Sequence, residues 1–125
     1  MESGEMTSTI IGCAMKVHSV LGPGFLESVY QKALSYELRQ IGLNHTCEHP
    51  IAVRYEGIVV GNFIADLFVD DSVIVENKAV QKLTTAHEVQ LVNYLTATGI
   101  EIGLLVNFGA TSLEFKRKYR SFKKK

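Results

Sequence analysis

The chain has 125 residues, 46% of them apolar and 21% charged, with a formal net charge of zero. That length suits one domain, and a chain of this size buries roughly two-thirds of its unfolded surface, so it requires neither disulfides nor a structural metal to fold. No apolar run approaches the ~18 residues that span a bilayer, which excludes a helical membrane protein. The opening stretch Met1–Glu5 is polar and acidic, unlike a signal peptide. A cytoplasmic protein with no membrane partner is therefore expected, with Cys13 and Cys47 reduced, since they form no C-x-x-C pair. Without a secretory signal, the sequon Asn44-His45-Thr46 carries no meaning. The zero charge hides an asymmetry. Seven of the thirteen basic residues fall within 116–125, leaving six basic against thirteen acidic residues in 1–115, a balance of −7. A basic C-terminal tail of that kind can hold a nucleic acid or can simply be solvated.

In chain order, Ile10, Ala14, Val17 and Leu21 recur at helical spacing after Ser8, a capping residue, and Gly22-Pro23-Gly24 stops the pattern. A second helix is predicted over about 26–41, with Leu26, Val29, Tyr30, Ala33, Leu34, Leu38 and Ile41 on one face. The period then becomes two at Ile51, Val53 and Tyr55, Glu56-Gly57 turns the chain, and a long strand follows over 58–69. Asp70-Asp71-Ser72 turns again into the strand 73–79. The capping box Thr85-Ala86-His87-Glu88 opens a third helix ending at Gly99. Residues 102–108 form a nearly continuous apolar strand, and Leu113, Phe115, Arg117 and Tyr119 predict a last extended segment before the tail. A strand–helix–strand crossover makes 73–79 and 102–108 parallel, and strands apolar on both faces need helices on both sides. The expectation is a single α/β domain, 1–125, with a mixed sheet flanked by helices on both faces and a basic tail at about 116–125.

Three charged residues interrupt the two most apolar strands: Asp66, Glu76 and Lys78. Charged groups are rarely buried unless paired or metal-bound. If Asp70-Asp71-Ser72 is a three-residue loop, Val69 pairs with Val73, and Asp66 lies opposite Glu76. Glu76 and Lys78, two apart, share a face. Two carboxylates ~4 Å apart repel by about 4 kcal/mol at an effective dielectric near 20. Either one stays protonated or a cation sits between them, and carboxylate oxygens suit hard cations such as magnesium or manganese. A purely stabilising Asp–Lys–Glu cluster is the alternative on spacing alone. Glu27, at the start of the second helix, falls inside its apolar arc between Leu34 and Leu38. Glu37 does too, and there a structural partner such as Arg39 or Arg54 is expected. Gln90 and Tyr94, spaced i, i+4, share one face of the third helix. The histidines His18, His45, His49 and His87 lack zinc-like spacing, and His18 reads as a core histidine. Gly22-Pro23-Gly24 lacks the preceding strand and the lysine of a phosphate-cradling loop.

Asp66 followed by Glu76-Asn77-Lys78 resembles the D…E-x-K motif of the PD-(D/E)XK nuclease superfamily. Gln90-Leu91-Val92-Asn93-Tyr94 resembles the Q-x-x-x-Y motif of its exonuclease-like branch, and Gly24 to Tyr30 resembles the G-x-x-E-x-x-Y signature of a family of small prokaryotic proteins assigned to it. The likeness spans about 10–118. It implies a restriction-endonuclease-like core and a nuclease that hydrolyses phosphodiester bonds in nucleic acid, with DNA the expected substrate. It further implies that Asp66 and Glu76 hold magnesium or manganese, with the Asn77 backbone carbonyl a third ligand and Glu27 completing the shell. Lys78 would act with Asp66 and Glu76 in catalysis, and Gln90, Tyr94 and Tyr30 would brace the site or hold substrate. The chain departs from larger relatives in lacking their additional DNA-gripping domains. A non-catalytic nucleic-acid-binding or regulatory module that keeps the fold and metal site is the rival reading. Nothing in the sequence indicates a homo-oligomer.

Overall fold

The computed structural model describes residues 1–120. The elements follow as α1 (Ser3–Leu21), α2 (Glu27–Gln40), β1 (His45–Tyr55), β2 (Ile58–Val69), β3 (Val73–Lys78), α3 (Thr85–Thr98), β4 (Ile102–Asn107) and β5 (Glu114–Tyr119). One five-stranded sheet runs β1-β2-β3-β4-β5. Only β3 and β4 pair in parallel; every other neighbouring pair is antiparallel. The mixed sheet with helices on both faces is thus an α/β fold of the restriction-endonuclease-like kind.

Strand alternation sorts the side chains into two cores. On one face, Leu67, Val69, Val73, Val75, Leu104 and Val106 pack with α1 and α2 through Ile10, Ala14, Tyr30, Leu34 and Leu38. On the other, Ile74 and Leu105 pack with Leu91, Tyr94 and Leu95 of α3. The β2–β3 hairpin has the expected register, Val69 against Val73 and Leu67 against Val75. Asp70 and Asp71 both take a positive φ of 52° to close it.

Several boundaries differ from the sequence reading. Helix α1 starts at Ser3, not Ser8, because Met6 is already buried and the Glu5 carboxylate accepts from the Glu2 amide. Ser8 instead accepts from Arg117 on β5. Helix α3 is capped by Thr84, whose hydroxyl accepts from the His87 amide while the His87 ring accepts from the Thr84 amide. Glu88, freed from the cap, pairs with Lys116 at 3.5 Å and Lys118 at 2.9 Å. Strand β1 begins at His45, six residues before the alternation becomes visible, because His45–His49 run against Ala65–Val69. Glu37 pairs with Lys16, at 3.1 Å, and not with Arg39 or Arg54. The His18 ring bonds the Ala110 carbonyl at 2.9 Å, tying α1 to the loop after β4.

The expected basic tail overlaps the last extended segment read from the sequence. Its first residues, Lys116 to Tyr119, belong to β5, held by the ladder with β4. Arg117 bonds Thr7 and Ser8 of α1, and Arg120 pairs with Glu101. Lys123, Lys124 and Lys125 lie outside the described residues. Among the described residues, no helix is long and apolar enough to cross a membrane.

Candidate metal centre

The β2–β3 ladder stops at Leu67 and Val75, one step short of Asp66 and Glu76. There the side chains replace the backbone bonds. The Asp66 amide donates to Glu76 Oε2 at 2.8 Å, and the Asn77 amide donates to Asp66 Oδ2 at 2.7 Å. Each carboxylate thus holds the opposite strand with one oxygen and has a second for another partner. The cause is local: acceptor-rich side chains at this point pry the ladder apart and then satisfy the amides that it abandons.

Glu76 is 4% exposed, and Asp66 is half-buried. Burial first, and then repulsion from Asp66, pushes the Glu76 carboxyl up to about 8, against the pull of the Asp66 amide and Lys78. Asp66 is raised too, first by burial and then by the charges of Glu27 and Glu48, while the Asn77 amide and Lys78 draw it down. Burial raises the Tyr94 phenol, and the two carboxylates reinforce it. Lys78 reaches across to α3, where its ammonium donates to Gln90 Oε1 at 3.4 Å. Strand β3 thereby sends Glu76 and Lys78 to the α3 face, as their spacing of two requires.

The other sequence-predicted residues fall as follows. Glu27 opens α2 and is exposed; its charge acts on both Asp66 and Glu76. It therefore stands near the pair from solvent, not from an apolar helix face. Asn77 is 1% exposed, and neither its Oδ1 nor its Nδ2 finds a hydrogen-bond partner among the described residues. Tyr30 is fully buried. Its hydroxyl donates to the Gly22 carbonyl and accepts from the Phe25 amide, and its ring stacks on Phe108 at 4.7 Å. It fastens the turn that delivers Glu27. Tyr94 sets its ring 5.7 Å from that of Phe63. Among the described residues, no three His, Cys, Asp or Glu side chains already stand close enough together to hold a metal ion.

Two contributors escaped the sequence reading. Glu48 bears on Asp66 from β1, where it takes a φ of 55° between the paired residues Cys47 and His49. No sequence signal marks a left-handed glutamate within a strand. Asn107, at the end of β4, is fully buried. Its Oδ1 accepts from the Val80 and Gly109 amides, and its Nδ2 donates to the Val80 carbonyl and Glu114. It thus pins the segment that follows Lys78. The signal available was its polarity at the end of an otherwise apolar strand. Gly109 permits the same close approach, since a Cβ there would meet the Val80 backbone at 2.5 Å.

The model of the PD-(D/E)XK nuclease superfamily matches residues 4–118. The chain belongs to that superfamily. The solved structure of SSO0001 superposes with a TM-score of 0.58 at 18% identity, covering 77% of this chain and 50% of the other. The likeness is one of fold, and this chain spans half the length of that protein. No curated protein matches it significantly. Superfamily members generally use divalent metals, and the donors here fit one. Two carboxylates from adjacent strands each accept from a backbone amide of the other strand, and burial, with their mutual repulsion added, favours the protonated acid at Glu76 unless a cation intervenes.

Proposed function

We propose that the protein is a divalent-metal-dependent nuclease of the G-x-x-E-x-x-Y kind, hydrolysing phosphodiester bonds in nucleic acid, with DNA the expected substrate. The observation that carries this reading is the reciprocal bonding of Asp66 and Glu76 across the split hairpin, with Lys78 on the same face. Asp66 and Glu76 would hold magnesium or manganese, with the Asn77 carbonyl and Glu27 as further donors. A bound divalent ion supplies Lewis acidity toward a phosphoryl oxygen and an acidified water. Lys78, steadied by Gln90, places an ammonium where negative charge develops on the phosphoryl group. Tyr94, with its phenol raised, stays a neutral donor able to meet a phosphate oxygen.

The test is a manganese-dependent cleavage assay on labelled single- and double-stranded DNA and RNA. Cleavage abolished by chelation and by Asp66→Ala supports the reading. Metal binding with no cleavage of any substrate supports the rival, a nucleic-acid-binding or regulatory module. One observation favours the regulatory form of that rival: residues 1–115 carry −7, and Glu88 and Glu101 already engage Lys116, Lys118 and Arg120, leaving fewer cations for a polyanion.

A further inference from the structure

A groove of about 940 Å³ runs between α3 and the outer half of the β1–β2 hairpin. Val53 and Phe63 wall it on the hairpin side, Ala86 and Val89 on the helix. Phe63 is 45% exposed and Val89 51%, so large apolar surface faces solvent along its length. An open apolar hollow of this size marks a binding surface. The groove is continuous with the metal centre. Gln90, which holds Lys78, and Tyr94, which feels both carboxylates, also line it. The Phe63 ring lies beside Tyr94 and over Gly61, where a Cβ would approach the ring to 3.1 Å. The glycine leaves the ring its place.

Charge decides what such a groove can take. Arg54 is the one charged side chain among the lining residues described. Duplex DNA presents one negative charge per ~1.7 Å of axis and is gripped by rows of cations. Residues 1–115 have six basic groups against thirteen acidic ones, and Lys116 and Lys118 are engaged by Glu88. Unpaired bases offer flat, uncharged faces that stack on aromatic rings. We propose that this groove holds unpaired nucleobases of the strand being cut, so that the substrate is single-stranded, with the exposed Phe63 ring the stacking surface and Arg54 meeting a backbone phosphate. The proposal rests on the nuclease reading of the adjoining metal centre.

Binding can be read apart from chemistry. In chelator, fluorescence anisotropy would compare a labelled single-stranded DNA with the same sequence as a duplex, for wild type, Phe63→Ala and Val89→Glu. Both positions are about half exposed, and circular dichroism confirms that each variant folds. The expectation is tighter binding of the single strand, weakened about tenfold by Phe63→Ala and further impaired by Val89→Glu. Duplex binding as tight as single-strand binding, or a single-strand affinity that neither variant moves, overturns the proposal. So does a dimer in sedimentation that Phe63→Ala dissolves while no oligonucleotide binds, since the groove would then seat a second copy. A manganese cleavage assay on the same strands separates this proposal from the reading on which it rests. Cleavage without strand preference, unaffected by Phe63→Ala, removes the groove and keeps the nuclease. Phe63-dependent single-strand binding without any cleavage keeps the groove and removes the nuclease.

Discussion

Asn107 grips Val80 by both of its backbone groups, accepting from the amide at 3.0 Å and donating to the carbonyl at 2.8 Å. Val80 lies two residues beyond Lys78, and the Phe108 amide also donates to the Lys78 carbonyl. The end of β4 therefore sets where the β3 strand stops and where the lysine sits. The same Asn107 amide group reaches Glu114, whose carboxylate also accepts from the Leu83 amide, so one buried residue joins three segments.

Asn107→Ala should accordingly destabilise the protein by about 2–4 kcal/mol, because the fully buried Asn107 side chain leaves a hole and part-buried backbone groups of Val80 lose their partners. Asn107→Asp should be no milder: it cannot donate to the Val80 carbonyl, and it sets a carboxylate against Glu114. Urea denaturation measures both, and a loss under ~0.5 kcal/mol, the level of an ordinary surface change, would show that the clamp is dispensable.

The carboxylate pair should respond to metal. A ligand that binds only the folded state raises stability by mass action, so millimolar manganese should raise the melting temperature of wild type and leave Asp66→Ala unmoved. An equal rise in both proteins would place the metal elsewhere.

Lys78 is separable from the ligands. Lys78→Ala should still show the manganese-dependent rise in melting temperature, because no ligand is lost and one neighbouring cation is removed. Its cleavage should fall by about 10²–10³-fold, the usual effect of deleting a group that meets developing charge. A wild-type rate in this variant would take the lysine out of the chemistry.

Proton linkage gives the pH dependence of the metal-free protein. Glu76 moves from an ordinary value of 4.5 to about 8 on folding, through burial and the nearby Asp66. The folded state therefore binds this proton more tightly than the unfolded chain. The resulting stability is fully present below pH 4.5 and is lost as pH rises through about 8. In chelator, denaturation midpoints should fall across that window, and Glu76→Gln, a neutral mimic of the protonated acid, should flatten the decline. Manganese should offset it by replacing the proton. A wild-type profile that is level from pH 5 to 8 in chelator would contradict the raised carboxyl.

Much of this protein follows from local pattern. The 3.6 and 2.0 periods located the helices and strands, and the three-residue turn Asp70-Asp71-Ser72 was enough to set Val69 against Val73 and to bring Asp66 alongside Glu76. Spacing of two put Glu76 and Lys78 on one face without any knowledge of the fold. Those relationships are short in sequence, so backbone geometry alone enforces them. The remainder was settled by packing between distant segments. The grip of Asn107 on Val80 spans 27 residues, and the Lys118–Glu88 bond spans 30. Neither partner could be named before the strand order placed β4 between β3 and β5. Glu48 bears electrostatically on Asp66 from a left-handed position of its own in β1, a conformation disfavoured for a residue with a Cβ and not marked by any local pattern. The groove lies where α3 faces the outer part of the β1–β2 hairpin, two elements that only the tertiary fold brings together. Exposure of Phe63 and Val89 is a property of which surfaces meet, and no residue carries that information alone.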